Sequence, residues 1–243
     1  MLIRRAQLST VVCASSVVLA AVTGAFATSL GSVTTQTLGA FDAGASNLAP
    51  GVITCDDFAR TAATGSALAN RPVQLPANCG AFTWTSHLGT WTITSGQLGA
   101  ATANATATMS AAGQTDISAQ ATILNANGSG RIGGVAIDHT GASRIYLVGA
   151  LSGPSTAQLR LVNGASVTTL ASAAATIGAS CVVRVTRNGT AVTVSVNGTA
   201  LINFTLTSGQ VTTLAGGTKV GLYWSAGTTL RFTDVLATEP ASP

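Results

Sequence analysis

Few side chains in this 243-residue chain can carry chemistry: seven carboxylates, two histidines, four cysteines and eleven lysines and arginines. The one glutamate, Glu239, lies in a Pro-flanked tail, and the aspartates of the body are Asp56, Asp57, Asp116, Asp138 and Asp234. Glycoside hydrolysis needs two carboxylates across a scissile bond, usually glutamates, and the chain has a single glutamate to offer. An Asp–Asp pair assembled by folding stays open, because catalytic groups are defined by geometry rather than by sequence position. A Ser-His-Asp site has only His87 and His139 to draw on, and no G-x-S-x-G presents a nucleophile. There is no C-x-x-C, and neither histidine has a paired ligand nearby, so the sequence does not read as a zinc protein. The expectation is a protein that is not an enzyme.

Binding chemistry is better represented. Sugar rings are held by flat aromatic faces with a few polar groups beside them, and the exposed candidates for such a face are Trp84, His87, Arg144, Tyr146 and Tyr223. Trp91 and Trp224 fit alternating inward sets and are assigned to the core, which turns Tyr223 outward. His139, directly after Asp138 and near a turn, reads as an exposed loop residue. At 5% aromatic the chain has little from which to build a broad glycan platform.

These residues must be positioned by strands. From Cys181 to Leu206 the chain reads as two hairpins in series, with turns at Asn188-Gly189 and Asn197-Gly198, the pair preferred where both turn residues need positive φ. Cys181, Val183 and Val185, then Val192, Val194 and Val196, then Ala200, Ile202, Phe204 and Leu206 form one apolar face, while Arg184, Thr186, Thr193, Ser195, Asn203 and Thr205 form the other. A ribbon with one apolar face needs a second layer. Short β-prone runs at 90–93, 101–109, 116–124, 131–139, 143–151, 157–163, 166–172, 219–225 and 230–237 supply it, with turn residues between them and no helical period. The fold class is all-β, a two-sheet antiparallel β-sandwich of jelly-roll type preceded by an N-terminal signal-peptide helix.

Residues 1–27 combine Arg4-Arg5, an apolar stretch and Ala25-Phe26-Ala27, the pattern of a secretory signal peptide. The stretch is also just long enough to stay as an anchor. Residues 28–54 are expected to be a linker with a possible edge strand, 55–238 the sandwich and 239–243 a tail. No LPxTG signal follows. In an exported chain Cys55 and Cys79 are the expected disulfide, contributing about 3 kcal/mol by restricting the unfolded chain. A bridge from Cys181 to either of them stays open, its alternative being a buried small hydrophobe. Charged residues are only 7% of the chain, and without Arg4 and Arg5 the formal charge falls from +4 to +2. No basic cluster points to nucleic acid, and no second run reaches membrane-spanning length.

Asp57-Phe58, then Gly89-Thr90-Trp91-Thr92-Ile93 with Gly96-Gln97-Leu98, then Gly133-Gly134-Val135-Ala136-Ile137-Asp138 leading to Arg144-Ile145-Tyr146, then Val194-Ser195-Val196-Asn197-Gly198, Val220-Gly221-Leu222 and Phe232-Thr233-Asp234-Val235 follow one another in this order. Their order and spacing resemble the concanavalin A-like lectin/glucanase superfamily, in particular its laminin G-like jelly rolls, over residues 55–238. That resemblance implies two stacked sheets whose first and last strands lie side by side, in extracellular glycan-binding or adhesion proteins. The glucanase branch carries glutamates in an E-x-D-x-E arrangement, which this chain lacks. If the first and last strands adjoin, Asp56, Asp57 and Asp234 could hold a structural Ca²⁺ through carboxylate and carbonyl oxygens; strand-end solvation or turn capping by the same aspartates is the alternative. The resulting expectation is a secreted, non-catalytic cell-surface module of a Gram-positive bacterium, binding an extracellular glycan or a surface protein. The alternatives are a structural or assembly subunit of a matrix or fibre, joined by strand addition, and a divergent glycoside hydrolase.

Overall fold

The computed structural model describes residues 52–58, 66–67, 83–100, 102, 105–110, 116–227 and 229–240. The expectations for the signal segment, most of the linker and Cys79 fall outside them. Strand alternation builds two antiparallel sheets. One runs in the order β14 (Thr199–Thr205), β13 (Ala191–Val196), β12 (Ser180–Asn188), β7 (Ile117–Leu124), β16 (Arg231–Thr238), β5 (Gln97–Ala100), β4 (Trp91–Thr94) and β2 (Ser66–Ala67), with β1 (Val52–Asp56) also paired to β16. The other runs β11 (Ser166–Ala174), β10 (Thr156–Asn163), β9 (Ile145–Ser152), β8 (Ile132–His139), β15 (Lys219–Ala226), β6 (Ala105–Ser110) and β3 (Thr85–Leu88). The first and last strands adjoin, with Asp56 opposite Val235. The chain thus forms the two-sheet jelly-roll sandwich that its strand pattern requires.

The core lies between the sheets. Ile117, Ala119, Ala121 and Ile123 of β7 are buried beside Cys181, Val183 and Val185 of β12, in the register Cys181–Ile123, Val183–Ala121 and Val185–Ala119. Facing them are Val135 and Ile137 of β8, Leu147 and Leu151 of β9, and Val220, Leu222 and Trp224 of β15. Each large aliphatic side chain removed from water in this way stabilises the fold by about 1.5–3 kcal/mol.

Turn chemistry fixes the register, with one shift from the sequence reading. Asn197 and Gly198 both have positive φ, 50° and 81°, and link Val196 directly to Thr199 as a type I′ turn demands. At the other hairpin Asn188 stays in the ladder opposite Ala191, so the turn residues are Gly189, at φ 59°, and Thr190. A further difference falls on β14. Val194 pairs with Ile202 but Ser195 with Ala200, so Leu201 is an extra residue in the strand. Such a bulge reverses the alternation beyond it, and Ala200, expected inside, is exposed.

Between β14 and β15 the chain forms one helix, α1 (Ser208–Leu214), which the strand pattern did not announce. Its signal is local. Thr207 caps it and Gln210 answers, each side chain bonded to the other's backbone N–H in a capping box. Leu214 then anchors the helix to the core.

Candidate functional site

Alternation that buries Leu147, Leu151, Leu159 and Leu222 turns the residues between them to the outer face of the seven-stranded sheet. There Ala136, Tyr146, Val148, Ala150, Val162 and Tyr223 form a second apolar cluster, separate from the core, flanked by Ile132. Across this face runs a series of rings. The His87 and His139 rings stack at 4.6 Å with 24° between their planes, and His139 stacks on Tyr146 at 4.5 Å and 12°. Tyr223 follows, tilted, at 6.2 Å from Tyr146. His87 on β3 and His139 on β8 are separated by two strands. They can meet because β15 places Gly221, with no side chain, between Thr108 of β6 and Ala136 of β8.

Polar contacts hold each ring in place. Thr108 Oγ1 lies 2.6 Å from His87 Nε2, and the Tyr146 hydroxyl is 3.0 Å from Thr106 Oγ1. His139 Nδ1 accepts from the Gly141 N–H at 2.8 Å. The neutral ring therefore carries its hydrogen on Nε2, and that buried Nε2 has no partner. Arg160 donates to Gln158 Oε1 through Nε at 2.8 Å and reaches weakly toward the Tyr223 hydroxyl at 3.5 Å.

The turn from β8 to β9 closes one end of the series. Gly141 sits at φ 82°, where a Cβ would come within 3.5 Å of Lys219 Cε and 3.9 Å of His87 Cε1, so this turn, Lys219 and His87 converge. Arg144 is also left-handed, at φ 52°, unusual for a long side chain. Its N–H donates to Gly141 O at 3.0 Å, and its carbonyl accepts from Gly164 N at 3.1 Å, which holds it there. Burial, with His87, Lys219 and Arg144 nearby, pushes His139 down to about 3. Burial and then Lys219 also lower His87. Burial raises Tyr146 to about 12, against a smaller opposing contribution from its bond to Thr106. At neutral pH the face therefore presents uncharged rings bordered by Arg144, Lys219 and Arg160.

Asp138 and His139 are neighbours with opposite fates. Asp138 takes φ 55°, and its carboxylate turns into the sandwich, where Oδ2 accepts from Arg187 Nη1 of the facing sheet at 2.8 Å. Burial, outweighing Arg187, lifts the carboxyl to about 6. Gly217 packs so closely on this bend that a Cβ there would fall 2.0 Å from the Asp138 carbonyl oxygen.

Of the sequence candidates, the fold brings His87, Arg144, Tyr146 and Tyr223 to one face. His87 and Arg144 are half-buried, while each tyrosine is 3% exposed. Trp84, expected at the surface, is fully buried; its Nε1 donates to Asp56 Oδ2 at 2.7 Å and its ring packs 5.8 Å from Phe58. His139, expected to be exposed, is 0% exposed at the centre of the series. Lys219, Arg160, Thr106 and Thr108 join the face without having been singled out. Thr106 and Thr108 alternate with the core residues Ala105 and Ala107, which was the available signal.

Asp56, Asp57 and Asp234 do not form a cage. Asp56 is buried and accepts from Phe58 N through Oδ1 as well as from Trp84. Asp234 accepts from Thr122 N at 3.2 Å and from the Thr233 hydroxyl at 3.0 Å. Among the described residues no three His, Cys, Asp or Glu side chains group as metal ligands. Since Asp56 and Asp234 already serve protein donors, adding a chelator is expected to leave the melting temperature unchanged; a fall of several degrees on EGTA, reversed by calcium, would restore an ion to this strand pair. Cys55 is disulfide-bonded, and Cys181 is a buried free thiol that accepts from Gly178 N at 3.1 Å, which removes it as a bridge partner.

No protein-family model matches the chain, and a search of curated proteins finds no match. Solved structures with similar backbones include the carbohydrate-binding module CBM66 from Bacillus subtilis, at 13% identity and TM-score 0.49 over 64% of this chain and 92% of that one. They also include a mutant of the GH43 protein BlXynB from Bacillus licheniformis, at 14% identity and TM-score 0.48 over 77% of this chain and 39% of that one. A third is the exoplasmic/lumenal domain of VIP36 bound to Ca²⁺ and Man3GlcNAc, at 10% identity and TM-score 0.43 over 66% of this chain and 84% of that one. At these identities the likeness concerns the backbone alone.

Proposed function

We propose that the chain is a secreted, non-catalytic glycan-binding module whose contact surface is the His87 end of the ring series. One observation carries this: three near-parallel rings, fixed by Thr108, Gly141 and Thr106, end in a half-buried imidazole beside Lys219, with Arg144 near the central imidazole. A flat, uncharged face held in place before the ligand arrives is what stacking on a sugar ring needs, because little order is left to impose on binding. Non-catalytic action is supported by the occupation of the aspartates, since Asp56, Asp116, Asp138 and Asp234 all accept hydrogen bonds from protein donors. Export by residues 1–27, a Cys55–Cys79 bridge and a place on a Gram-positive cell surface belong to the same reading. On a glycan array the protein is expected to bind at least one saccharide class, with His87→Ala weakening the interaction about tenfold at an unchanged melting temperature and His87→Phe retaining most of it. A panel with no ligand, or a ligand indifferent to His87, would sink the reading.

A second reading, assembly through strand addition, is favoured by β11. This edge strand reads SVTTLASAA over nine residues, has no charge, and is mostly exposed, with Val167 at 47%. Long uncharged edges offer free ladder groups to another chain. Light scattering on a concentration series is expected to show association that Thr168→Lys abolishes; a monomer at every concentration would remove this reading.

A further inference from the structure

We propose that the partner of the long sheet edge is a second copy of this chain, added antiparallel through β11 about a two-fold axis centred on Thr168, so that two seven-stranded sheets become one. This deepens the strand-addition reading and rests on it.

Three observations lead there. The first is where the open edges lie. Among the described residues each sheet ends in one short edge and one long one: β2 has two residues and β14 seven, while β3 has four and β11 nine. A very short edge strand is one of the ways in which a sheet avoids pairing with another chain. The two long edges pack on each other, so the unprotected length is gathered on one side of the sandwich. Ser166, Val167, Thr168, Thr169, Ser172 and Ala174 of β11 are all exposed there.

The second observation is charge. No Lys, Arg, Asp, Glu or His occurs from 161 to 183 or from 188 to 218, the stretches that build β11, the β13–β14 hairpin and α1. Edge strands are commonly guarded by a charged side chain, often lysine, that repels a second chain. This side has none. It offers a charged ligand nothing to pair with, whereas two copies of it meet with no like charges opposed. Apolar surface is present as well: Val167 is 47% exposed and ends a row on the outer face, in register with Val162 and Tyr146. A patch that suits its own image is what a two-fold contact requires.

The third observation is which backbone groups are free. The two-residue loop Gly164-Ala165 closes on Asn163 and Ser166, a pair that bonds within the hairpin. Alternation then turns Ser166 and Thr168 toward β10 and leaves the N–H and C=O of Val167 and Thr169 on the open side. Leu170 is an extra residue, since Arg160 pairs with Thr169 but Leu159 with Ala171, and beyond it the ladder resumes, with Ala175 N–H donating to Ser155 O at 2.9 Å. Centring the two-fold on Thr168 sets Val167 opposite Thr169 of the second copy, and Thr169 opposite its Val167. Free groups then meet free groups, and each such pair exchanges both backbone bonds. A slip of one residue would set them against groups already bonded to β10. The axis stands perpendicular to the sheet, which puts the two ring series on the same face of the doubled sheet.

Sedimentation velocity of the full chain over a concentration series tests this. The expected result is a shift from one copy to two that saturates at two. Thr169→Pro removes an N–H that the single chain does not use, so it is expected to weaken the pairing about tenfold at an unchanged melting temperature. Should proline unfold the chain, Val167→Lys sets like charges across the axis and is expected to weaken the pairing about tenfold as well. Thr168→Cys meets its own copy at the closer, non-hydrogen-bonded spacing, within reach of a disulfide. With oxidised glutathione it is expected to cross-link in pairs, while Ser129→Cys, exposed in the turn between β7 and β8, is not. Growth past two copies without limit would overturn the closed pair and leave strand addition in place. Pairs that persist in Thr169→Pro and Val167→Lys and cross-link equally at either cysteine would put the contact elsewhere and overturn both readings, as would a single copy at every concentration.

Discussion

Arg187→Ala is expected to lower the stability of the sandwich by about 3–5 kcal/mol, because it strands a buried carboxylate. The pair it breaks spans the two sheets: Arg187 Nη1 meets Asp138 Oδ2 at 2.8 Å with both side chains almost fully enclosed, and Arg187 Nε also holds the Gly189 carbonyl at 2.9 Å. Asp138 cannot turn to solvent, since its bend is packed under Gly217 and its other oxygen already lacks a partner. A loss of this size corresponds to a fall of roughly 6–20 °C in melting temperature for a domain of this length. Replacing both residues, Arg187→Met with Asp138→Asn, should return part of the stability, because a neutral side chain that tolerates the left-handed backbone at 138 removes both buried charges. The deficit of Arg187→Ala should also shrink toward pH 4, where a protonated Asp138 no longer needs a cation. Urea unfolding checks all three. A loss below about 1 kcal/mol would mean that the pair is solvated and behaves as a surface bridge.

How much of this was readable beforehand depends on whether the cause was local. Asn197-Gly198 announced its turn because both residues need positive φ, and the inward set of β7 announced the core because period-two alternation is a property of the strand itself. Asn188-Gly189 misled by one position, since Gly at the first turn site closes the hairpin equally well and lets Asn188 stay in the ladder. The bulge at Leu201 and the left-handed Asp138 were invisible to alternation, and each reverses which side the following residues take. That reversal is why His139 ended inside the ring series. Trp84 went to the core for a reason 28 residues away, the Asp56 carboxylate of β1. Tyr146, Tyr223, His87 and Arg144 could be nominated from type and strand parity, but their convergence depends on strand order, which places β3 and β8 within reach over Gly221. No single-residue property carries strand order. The capping box of α1, Thr207 with Gln210, was a local signal present and unused, as was the alternation that turns Thr106 and Thr108 outward.

The opposed titrations of Asp138 and His139 give the second large expectation. Asp138 has a folded pKa raised from 3.8 to about 6, so as pH falls through that window the folded chain takes up the proton first and gains stability. His139 is lowered from 6.5 to about 3, so below pH 6.5 the unfolded chain binds the proton that the folded ring refuses, and stability is lost until pH approaches 3. His87, lowered as well, adds to that loss. Between pH 6 and 4 the aspartate and the histidines oppose each other, which makes the wild-type profile shallow; below pH 4 the loss from His139 is no longer offset by Asp138 and stability falls. His139→Asn offers an oxygen to the Gly141 N–H while removing the ring's titration. Relative to wild type, its unfolding free energy should rise by about 3 kcal/mol between pH 6.5 and 4, an order-of-magnitude figure from proton linkage. Urea unfolding at half-unit pH steps reads this difference, whatever constant offset the lost stacking adds. Parallel profiles for the two proteins would show that His139 is protonated in the folded chain, and so that its ring is not enclosed between His87 and Tyr146.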